Sequence, residues 1–240
     1  NAKEINSGID IKRITGNFVA TEDHASITNA NISWNNSEII IDTANVNYEN
    51  WGNGNNKSWS VTSIPIQGNV ALKDFCWLDS TLASTKTFLN IDALIDGNES
   101  KLNIDKLLIQ SEKNDLFVDI AGHAEKDKYG YTSFLANINK IQIEGNAFSE
   151  FILLPHLDST ITNHLYRLGG IDLKGAIEKT NENATLKGNI DTECGEIDIH
   201  IASAPNKIIS GELKTNKFNI GQLLDSEKLG YTSFHIKGRG

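Results

Sequence analysis

The histidines of this sequence do not form a recognisable catalytic or metal-binding motif. There are six, at positions 24, 123, 156, 164, 200 and 235. His156 and His164 lie in a segment with helical spacing, where eight residues correspond to about 12 Å along the axis, too far to share a metal ion. We interpret these two as solvated or capping residues, and His200 as part of the polar face of a strand.

The two cysteines, Cys76 and Cys194, lack partners at metal-ligand spacing. A four-ligand zinc site would therefore need histidines beside them. We interpret both as small, semi-buried side chains. Whether they pair with each other stays open.

Carboxylates are abundant, and a glycosidase needs only two at a suitable separation. Asp115 with Asp119, or Asp191 with Asp198, could form such a pair. Acidic residues are, however, also expected on the solvated face of a sheet in a chain of net charge −9. The second interpretation is the simpler one.

Two tryptophans suggest an alternative function. Trp51 and Trp59 flank a loop rich in glycine and asparagine, and exposed side by side they could stack against a sugar. The alternative is thus a secreted carbohydrate-binding or β-helix glycan-processing module. We interpret Trp34 and Trp77 as packing residues.

Motifs of the common enzyme classes are absent from the sequence. It has no Gly-x-Ser-x-Gly elbow, phosphate loop, dinucleotide-binding glycine motif or His-Glu-x-x-His. We therefore expect a protein without catalytic residues, bound metal or cofactor.

Charge and hydropathy exclude other classes. Lys and Arg total 22 against 31 Asp and Glu and do not cluster, which argues against nucleic acid and anionic membrane surfaces as partners. No apolar run approaches the ~20 residues of a membrane-spanning helix. The chain has no Met and starts at Asn1 without a signal peptide, so we expect a piece of a longer protein.

Nearly all of the sequence alternates between polar and apolar residues. The segment from Glu196 to Ile201 does so without interruption, and isoleucine, a strand former, occurs 31 times. The sequence therefore predicts a mainly β fold: a long, curved antiparallel sheet that forms an open gutter, with one or two short helices. We expect six alternating residues to share one concave apolar face: Leu186, Ile190, Ile197, Ile199, Ile201 and Leu213.

Glycine–asparagine pairs punctuate the alternating segments, and we interpret them as turns. They are Gly16-Asn17, Gly68-Asn69, Gly97-Asn98, Gly145-Asn146 and Gly188-Asn189. The sequence Gly-Tyr-Thr-Ser-Phe occurs twice, from Gly130 and from Gly230, and each copy is expected to start a strand.

Two segments have helical spacing instead. Apolar residues recur every three or four positions between Ala147 and Leu168, and a shorter helix is predicted within 219–229, closed by Gly230. The predicted organisation is a β-gutter segment over 1–146, a helical insertion over 147–169, and a second gutter segment over 170–240 that continues the same sheet.

The last ninety or so residues resemble the AsmA/TamB-like envelope proteins of the Bacteroidetes type. The resemblance rests on Leu153-Leu154-Pro155-His156-Leu157, on Leu168-Gly169-Gly170-Ile171-Asp172-Leu173-Lys174-Gly175, and on the stretch from Phe218 to Leu224 followed by Leu229-Gly230 and Gly238-Arg239-Gly240. Earlier segments, such as Ser7-Gly8-Ile9-Asp10-Ile11, are similar to upstream repeats of the family. Cys194 departs from the pattern, which has a small residue there.

This resemblance implies a function without catalysis. Members of the family are anchored in the inner membrane and cross the periplasm as a gutter-shaped sheet, whose apolar inside is thought to carry phospholipid acyl chains between the membranes. Some work with an Omp85-type outer-membrane barrel. The sequence is therefore expected to be a periplasmic segment that contributes to phospholipid transfer and outer-membrane biogenesis.

Overall fold

A computed structural model describes residues 2–3, 9–49, 58–78, 80–148, 159–204 and 208–240 of the chain. The prediction of a mainly β fold is confirmed, because the described residues form an open antiparallel sheet with two short α-helices. The strands are β1 (Ala2–Lys3), β2 (Asp10–Ala20), β3 (His24–Trp34), β4 (Ser37–Glu49), β5 (Ser58–Ala71), β6 (Phe88–Asn98), β7 (Lys101–Ser111), β8 (Leu116–Lys126), β9 (Thr132–Ile143), β10 (Ile171–Lys179), β11 (Ala184–Thr192), β12 (Gly195–Ser203), β13 (Ile209–Asn219) and β14 (Tyr231–Arg239). The α-helices are α1 (Ser159–Arg167) and α2 (Ile220–Leu224), and short 3-10 helices span Leu72–Phe75, Ser80–Ser84 and Gly145–Ala147.

The chain divides into two compact units. The first comprises Asn1–Glu112 with Gly122–Asp127, and the second comprises Lys113–Ala121 with Lys128–Gly240. Strand order follows chain order, so β1 to β7 and the end of β8 belong to the first unit, and the start of β8 and β9 to β14 to the second. Neighbouring strands are thus also neighbours in sequence, as the absence of intervening long helices predicts.

In the second unit, the register aligns apolar residues across five strands. Directly paired residues of an antiparallel sheet lie on the same face, so each row of partners shares a side. We call the side formed by three such rows the apolar face. Its rows are Leu173, Ile190, Ile197, Thr215 and Phe234; Gly175, Gly188, Ile199, Leu213 and Ile236; and Ile177, Leu186, Ile201, Gly211 and Gly238.

The first unit has the same kind of register. Two rows of paired residues cross β3 to β7, and both consist of aliphatic residues and glycine. They are Ile32, Ile39, Gly68, Ile91 and Ile109, and Ala30, Ile41, Ile66, Ala93 and Leu107. An apolar face therefore forms in each unit separately.

A bulge corrects the phase of the pattern in β5. The apolar positions of this strand are even-numbered from Ile64 to Val70 but odd-numbered at Trp59 and Val61. Between them, Ser63 has a left-handed backbone with φ of 47°, and the pairing with β6 shifts between Val61 and Ile64. The extra residue of a bulge lets both sets lie on one face.

The prediction that glycine–asparagine pairs mark turns is wrong for most of them. Gly68-Asn69 and Gly188-Asn189, for example, lie inside β5 and β11. The reason is close packing of neighbouring backbones: a Cβ atom on Gly188 would lie 2.6 Å from the carbonyl oxygen of Lys174. Gly16-Asn17 is likewise within β2, whereas Gly145-Asn146 begins a 3-10 helix. Gly97-Asn98 does lead into a turn as predicted, because it ends β6 and Asn98 Oδ1 accepts from the Ser100 and Lys101 N–H groups, both at 2.9 Å.

The fully buried residues lie at the strand ends. In the first unit, the carboxylate of Asp74 accepts hydrogen bonds from the Asn36 backbone N–H (2.7 Å) and from the Ser37 hydroxyl (2.6 Å). Ser37 Oγ in turn accepts from the Ala71 N–H at 3.0 Å, so a buried acid joins a 3-10 helix to the β3–β4 turn. In the second unit, Phe148, Cys194 and Phe218 are buried at the strand ends near α1 and α2.

The two helices agree in part with the sequence. Of the predicted helix over 147–168, α1 forms the second half, and residues 149–158 lie outside the described residues. The side chain of Asn219 caps α2 by accepting from the Gln222 N–H at 3.1 Å. The helix ends at Asp225, whose left-handed backbone has φ of 56°, and not at Gly230 as predicted. Both copies of Gly-Tyr-Thr-Ser-Phe do start strands, β9 and β14.

Two glycines of the apolar face provide a matched test of backbone packing. A Cβ atom on Gly175 would lie 2.7 Å from Gly188 Cα, whereas one on Gly211 would meet no atom within 4 Å. Gly175→Ala should therefore lower the free energy of unfolding by about 1–3 kcal/mol through overpacking. Gly211→Ala should raise it by roughly 0.5–1 kcal/mol, since alanine restricts the unfolded chain. Urea denaturation measures both, and equal effects would contradict the register given above.

Candidate functional site

The structure places all six predicted site residues on the apolar face. Leu186 pairs directly with Ile201, Ile190 with Ile197, and Ile199 with Leu213. Alternation along β12 puts Ile197, Ile199 and Ile201 on the same side, which joins the three pairs. Five of the six side chains are half-buried, and Ile201 is 43% exposed.

The apolar face continues beyond the six residues to β14. Ile209 and Ile236 are 56% and 58% exposed, and they flank the paired glycines Gly211 and Gly238. No atom lies within 4 Å of a Cβ added to either glycine, so the space above them is open. Sequence reasoning missed these four residues, although the alternation in β13 and β14 contains the signal.

In the described part of the second unit, the extensive contacts of strands β9 to β14 are with their sheet neighbours. The helices contact each other near the strand ends: a ring N–H of His164 donates to the Leu223 carbonyl at 3.1 Å, and Arg167 forms an ion pair with Asp225 at 2.8 Å. The apolar face is therefore a half-exposed hydrophobic surface, which typically marks a site of binding.

The opposite face of the second unit is polar and internally paired. Lys140 forms an ion pair with Asp172 at 3.2 Å, and Asn189 donates to Asp198 at 3.1 Å. The carboxylate of Glu212 accepts from His235 and lies 3.4 Å from the ammonium of Lys237. The hydrogen bond from His235 is the main cause of the lowered pKa of Glu212. Several charges on this face are therefore paired across strands, and the two faces differ sharply in polarity.

The candidate catalytic residues do not assemble into a site among the described residues. No group of three His, Cys, Asp or Glu side chains is close enough to hold a metal ion in that part of the chain. Asp191 and Asp198 lie on the polar face opposite Glu196 and Asn189, and Asp119 accepts from the Asn139 amide at 3.0 Å. His200 lies on the same polar face opposite Glu212, and His156 is outside the described residues.

The tryptophans give a mixed result. Trp59 is 37% exposed and pairs with Tyr48 beside a cavity of about 370 Å³, also lined by Asp23, Glu49 and Glu99. Trp51, the other half of the predicted aromatic pair, lies outside the described residues. The interpretation of Trp77 as a packing residue is wrong, because it is 50% exposed after the first 3-10 helix.

The two cysteines are free and differ in environment. Cys76 is exposed, whereas Cys194 is buried and its thiol donates to the Arg167 carbonyl at 3.3 Å. Burial, with a smaller contribution from the charge of Glu193, raises the pKa of the Cys194 thiol. A raised pKa reduces the thiolate population, so Cys194 is not an activated nucleophile.

Comparisons with protein families, with curated proteins and with solved structures find no match to this chain. Among the described helices, none combines the length and the apolar character needed to cross a bilayer.

The difference between the cysteines can be measured. A thiol reagent at pH 8 should label Cys76 rapidly in the folded chain and Cys194 only after unfolding, since Cys194 is buried and its pKa is raised. Peptide mass spectrometry assigns the labelled sites, and a Cys76→Ser variant isolates the slow thiol. Rapid labelling of Cys194 in the folded protein would show that the strand ends near α1 are not packed as described.

Proposed function

We propose that the apolar face binds phospholipid acyl chains, and that this chain is a transport segment of an AsmA/TamB-like envelope protein. The supporting observation is the half-exposed state of the face, from Leu186 to Ile201 and on to Ile236. Acyl chains suit such a surface because they require no specific polar partner. The proposal includes no catalytic step, metal or cofactor.

The energetics favour passive movement of the lipid. Each methylene that is fully buried contributes about 0.8 kcal/mol, and a one-sided face covers only part of each methylene. Binding is then strong enough to hold a chain out of water. Successive rows of similar aliphatic residues offer equivalent positions along the strands. The acyl chain can therefore slide from one row to the next without a large barrier.

The cellular setting is proposed from the family resemblance. In that setting the parent protein is anchored in the inner membrane, this segment lies in the periplasm, and phospholipid moves between the membranes in support of outer-membrane biogenesis. An Omp85-type outer-membrane barrel is the proposed protein partner. Nucleic acid is not a proposed partner, since the chain has a net charge of −9.

The second candidate function is carbohydrate binding at the cavity beside Trp59. The half-exposed indole and the nearby carboxylates of Glu49 and Glu99 favour it, as such groups can stack on and hydrogen-bond to sugars. Titration with oligosaccharides, followed by tryptophan fluorescence and repeated with Trp59→Ala, tests this candidate directly. A saturable signal that Trp59→Ala abolishes would support it.

Photo-crosslinking tests the main proposal. A photoreactive amino acid at position 199 of the parent protein should capture phospholipid in living cells, because Ile199 is in the middle of the apolar face. The same residue at position 198, on the opposite face of the same strand, is the matched control and should capture none. Equal lipid adducts from both positions, or adducts from neither, would contradict the proposal.

A charge on the apolar face should block binding. Ile199→Asp places a carboxylate among acyl chains, where it must be desolvated or protonated, so we expect affinity for a fluorescent phospholipid to fall at least about tenfold. Asp198→Asn on the opposite face should leave affinity unchanged. Circular dichroism must show both variants to be folded. A folded Ile199→Asp variant with unaltered lipid affinity would exclude this face as the binding site.

Gly211→Trp provides an independent steric test. Because no atom lies within 4 Å of a Cβ at this position, the indole can occupy the apolar face without displacing the backbone. We expect weaker lipid binding and slower lipid transfer between vesicles without a loss of stability. Unaltered transfer by a folded Gly211→Trp variant would show that lipid does not cross this part of the face.

A further inference from the structure

The apolar face contains a single charged residue along the described strands β9 to β14. Lys179 is the last residue of β10 and lies in register with Phe134 of β9 and Ala184 of β11. Alternation from Ile171 through Leu173, Gly175 and Ile177 places it on the apolar side, and no register shift occurs between β10 and β11. Every other charged residue in the regularly paired parts of these strands is on the opposite face.

The charge of Lys179 is not neutralised within the described part of the chain. Its side chain is exposed and makes no ion pair or hydrogen bond there. On the polar face, Lys140 and Lys237 each lie within 4.0 Å of a carboxylate, at 3.2 and 3.4 Å, whereas Lys174, Lys187 and Lys214 form no ion pair among the described residues. Lys179 is therefore distinguished by its place on the apolar face. An unpaired ammonium at the edge of an apolar surface is complementary to an amphiphile with an anionic head group.

The other end of the same strands has the opposite charge. There, the three acids Asp115, Glu144 and Glu193 outnumber the one cation, Lys113, among the residues that line a cavity of about 670 Å³ near α1. Glu144 directly follows β9, and Glu193 is in the turn between β11 and β12. An anionic head group is therefore attracted to the Lys179 end and repelled from the α1 end.

We propose that Lys179 binds the anionic head group of a lipid whose acyl chain lies over Ile177, Leu186 and Ile201 and extends towards the α1 end. This inference rests on the proposed function, and adds to it the charge class and the orientation of the ligand. The length is sufficient: the eight residue-to-residue steps from Lys179 to Ile171 span about 26 Å, and the chains of one bilayer leaflet span about 15 Å.

Two single-chain amphiphiles with twelve-carbon chains separate the head-group contact from acyl-chain binding. Dodecyl phosphate is the anionic probe and monolauroyl glycerol the neutral one, both used below their micelle concentrations with the 240-residue chain. The unmodified protein should bind the phosphate about two- to fivefold more tightly, the range of an exposed ion pair. This preference should vanish near 1 M salt, where the screening length falls to about 3 Å.

The variant Lys179→Gln should abolish the preference for dodecyl phosphate and leave affinity for monolauroyl glycerol unchanged. Lys174→Gln is the matched control, because Lys174 is exposed on the same strand but lies on the polar face. It removes the same charge and should keep the preference.

The possible failures are distinguishable. If both probes bind but Lys179→Gln retains the preference, or Lys174→Gln loses it equally, the head-group assignment is overturned while the proposed function stands. If neither probe binds the unmodified protein, the proposed function fails and this inference fails with it.

Discussion

The structure depends on one geometric constraint: paired residues of an antiparallel sheet share a face, so the alternation of every strand must stay in phase with that of its neighbours. A shift of one residue would turn an entire strand's apolar set to the other side. In the second unit, the phase is kept from β10 to β14, where Ile190 meets Ile197 and Leu186 meets Ile201. In the first unit, the bulge at Ser63 restores a phase that the sequence of β5 breaks.

Once the phase is kept, the two faces must meet different surroundings. On the polar face, charged side chains form ion pairs across strands, such as Lys140 with Asp172. The apolar face has no such solution. Ile138 and Thr215 are buried on it, but most of its aliphatic residues from β10 to β14 stay half-exposed, and the largest fully buried side chains lie at strand ends, such as Val70, Phe148 and Phe218. Stability therefore comes mainly from the hydrogen-bonded strand pairs and from the packing at the strand ends, and the half-exposed part of the apolar face is the surface to which the proposed function assigns a ligand.

Much of this architecture could be predicted from the sequence, because period-2 alternation is a local signal that the sheet uses directly. The six residues from Leu186 to Leu213 share a face for this reason.

The role of the glycines could not be predicted in the same way. Gly188 within β11 and Gly68 within β5 are determined by the approach of a neighbouring backbone, which a single strand's sequence does not contain. The end of α2 was also mispredicted, because the left-handed residue that ends it is Asp225, whereas glycine, here Gly230, is the more usual residue in that role. The exposure of side chains such as Trp77 and Ile236 could not be predicted from the sequence either, since it depends on which other parts of the protein cover them.

Intermolecular nuclear Overhauser effects between a bound acyl chain and the protein's methyl groups test the central claim most directly. The protein is isotope-labelled and the phospholipid is not. The acyl protons of the phospholipid should then show contacts to the methyl groups of Ile199, Ile201 and Leu213, which share the apolar face. They should show none to Ala176 and Ala202, whose methyl groups lie on the opposite face of β10 and β12. Contacts to Ala176 and Ala202 equal to those of the isoleucines, or no contacts to the isoleucines at all, would contradict the account.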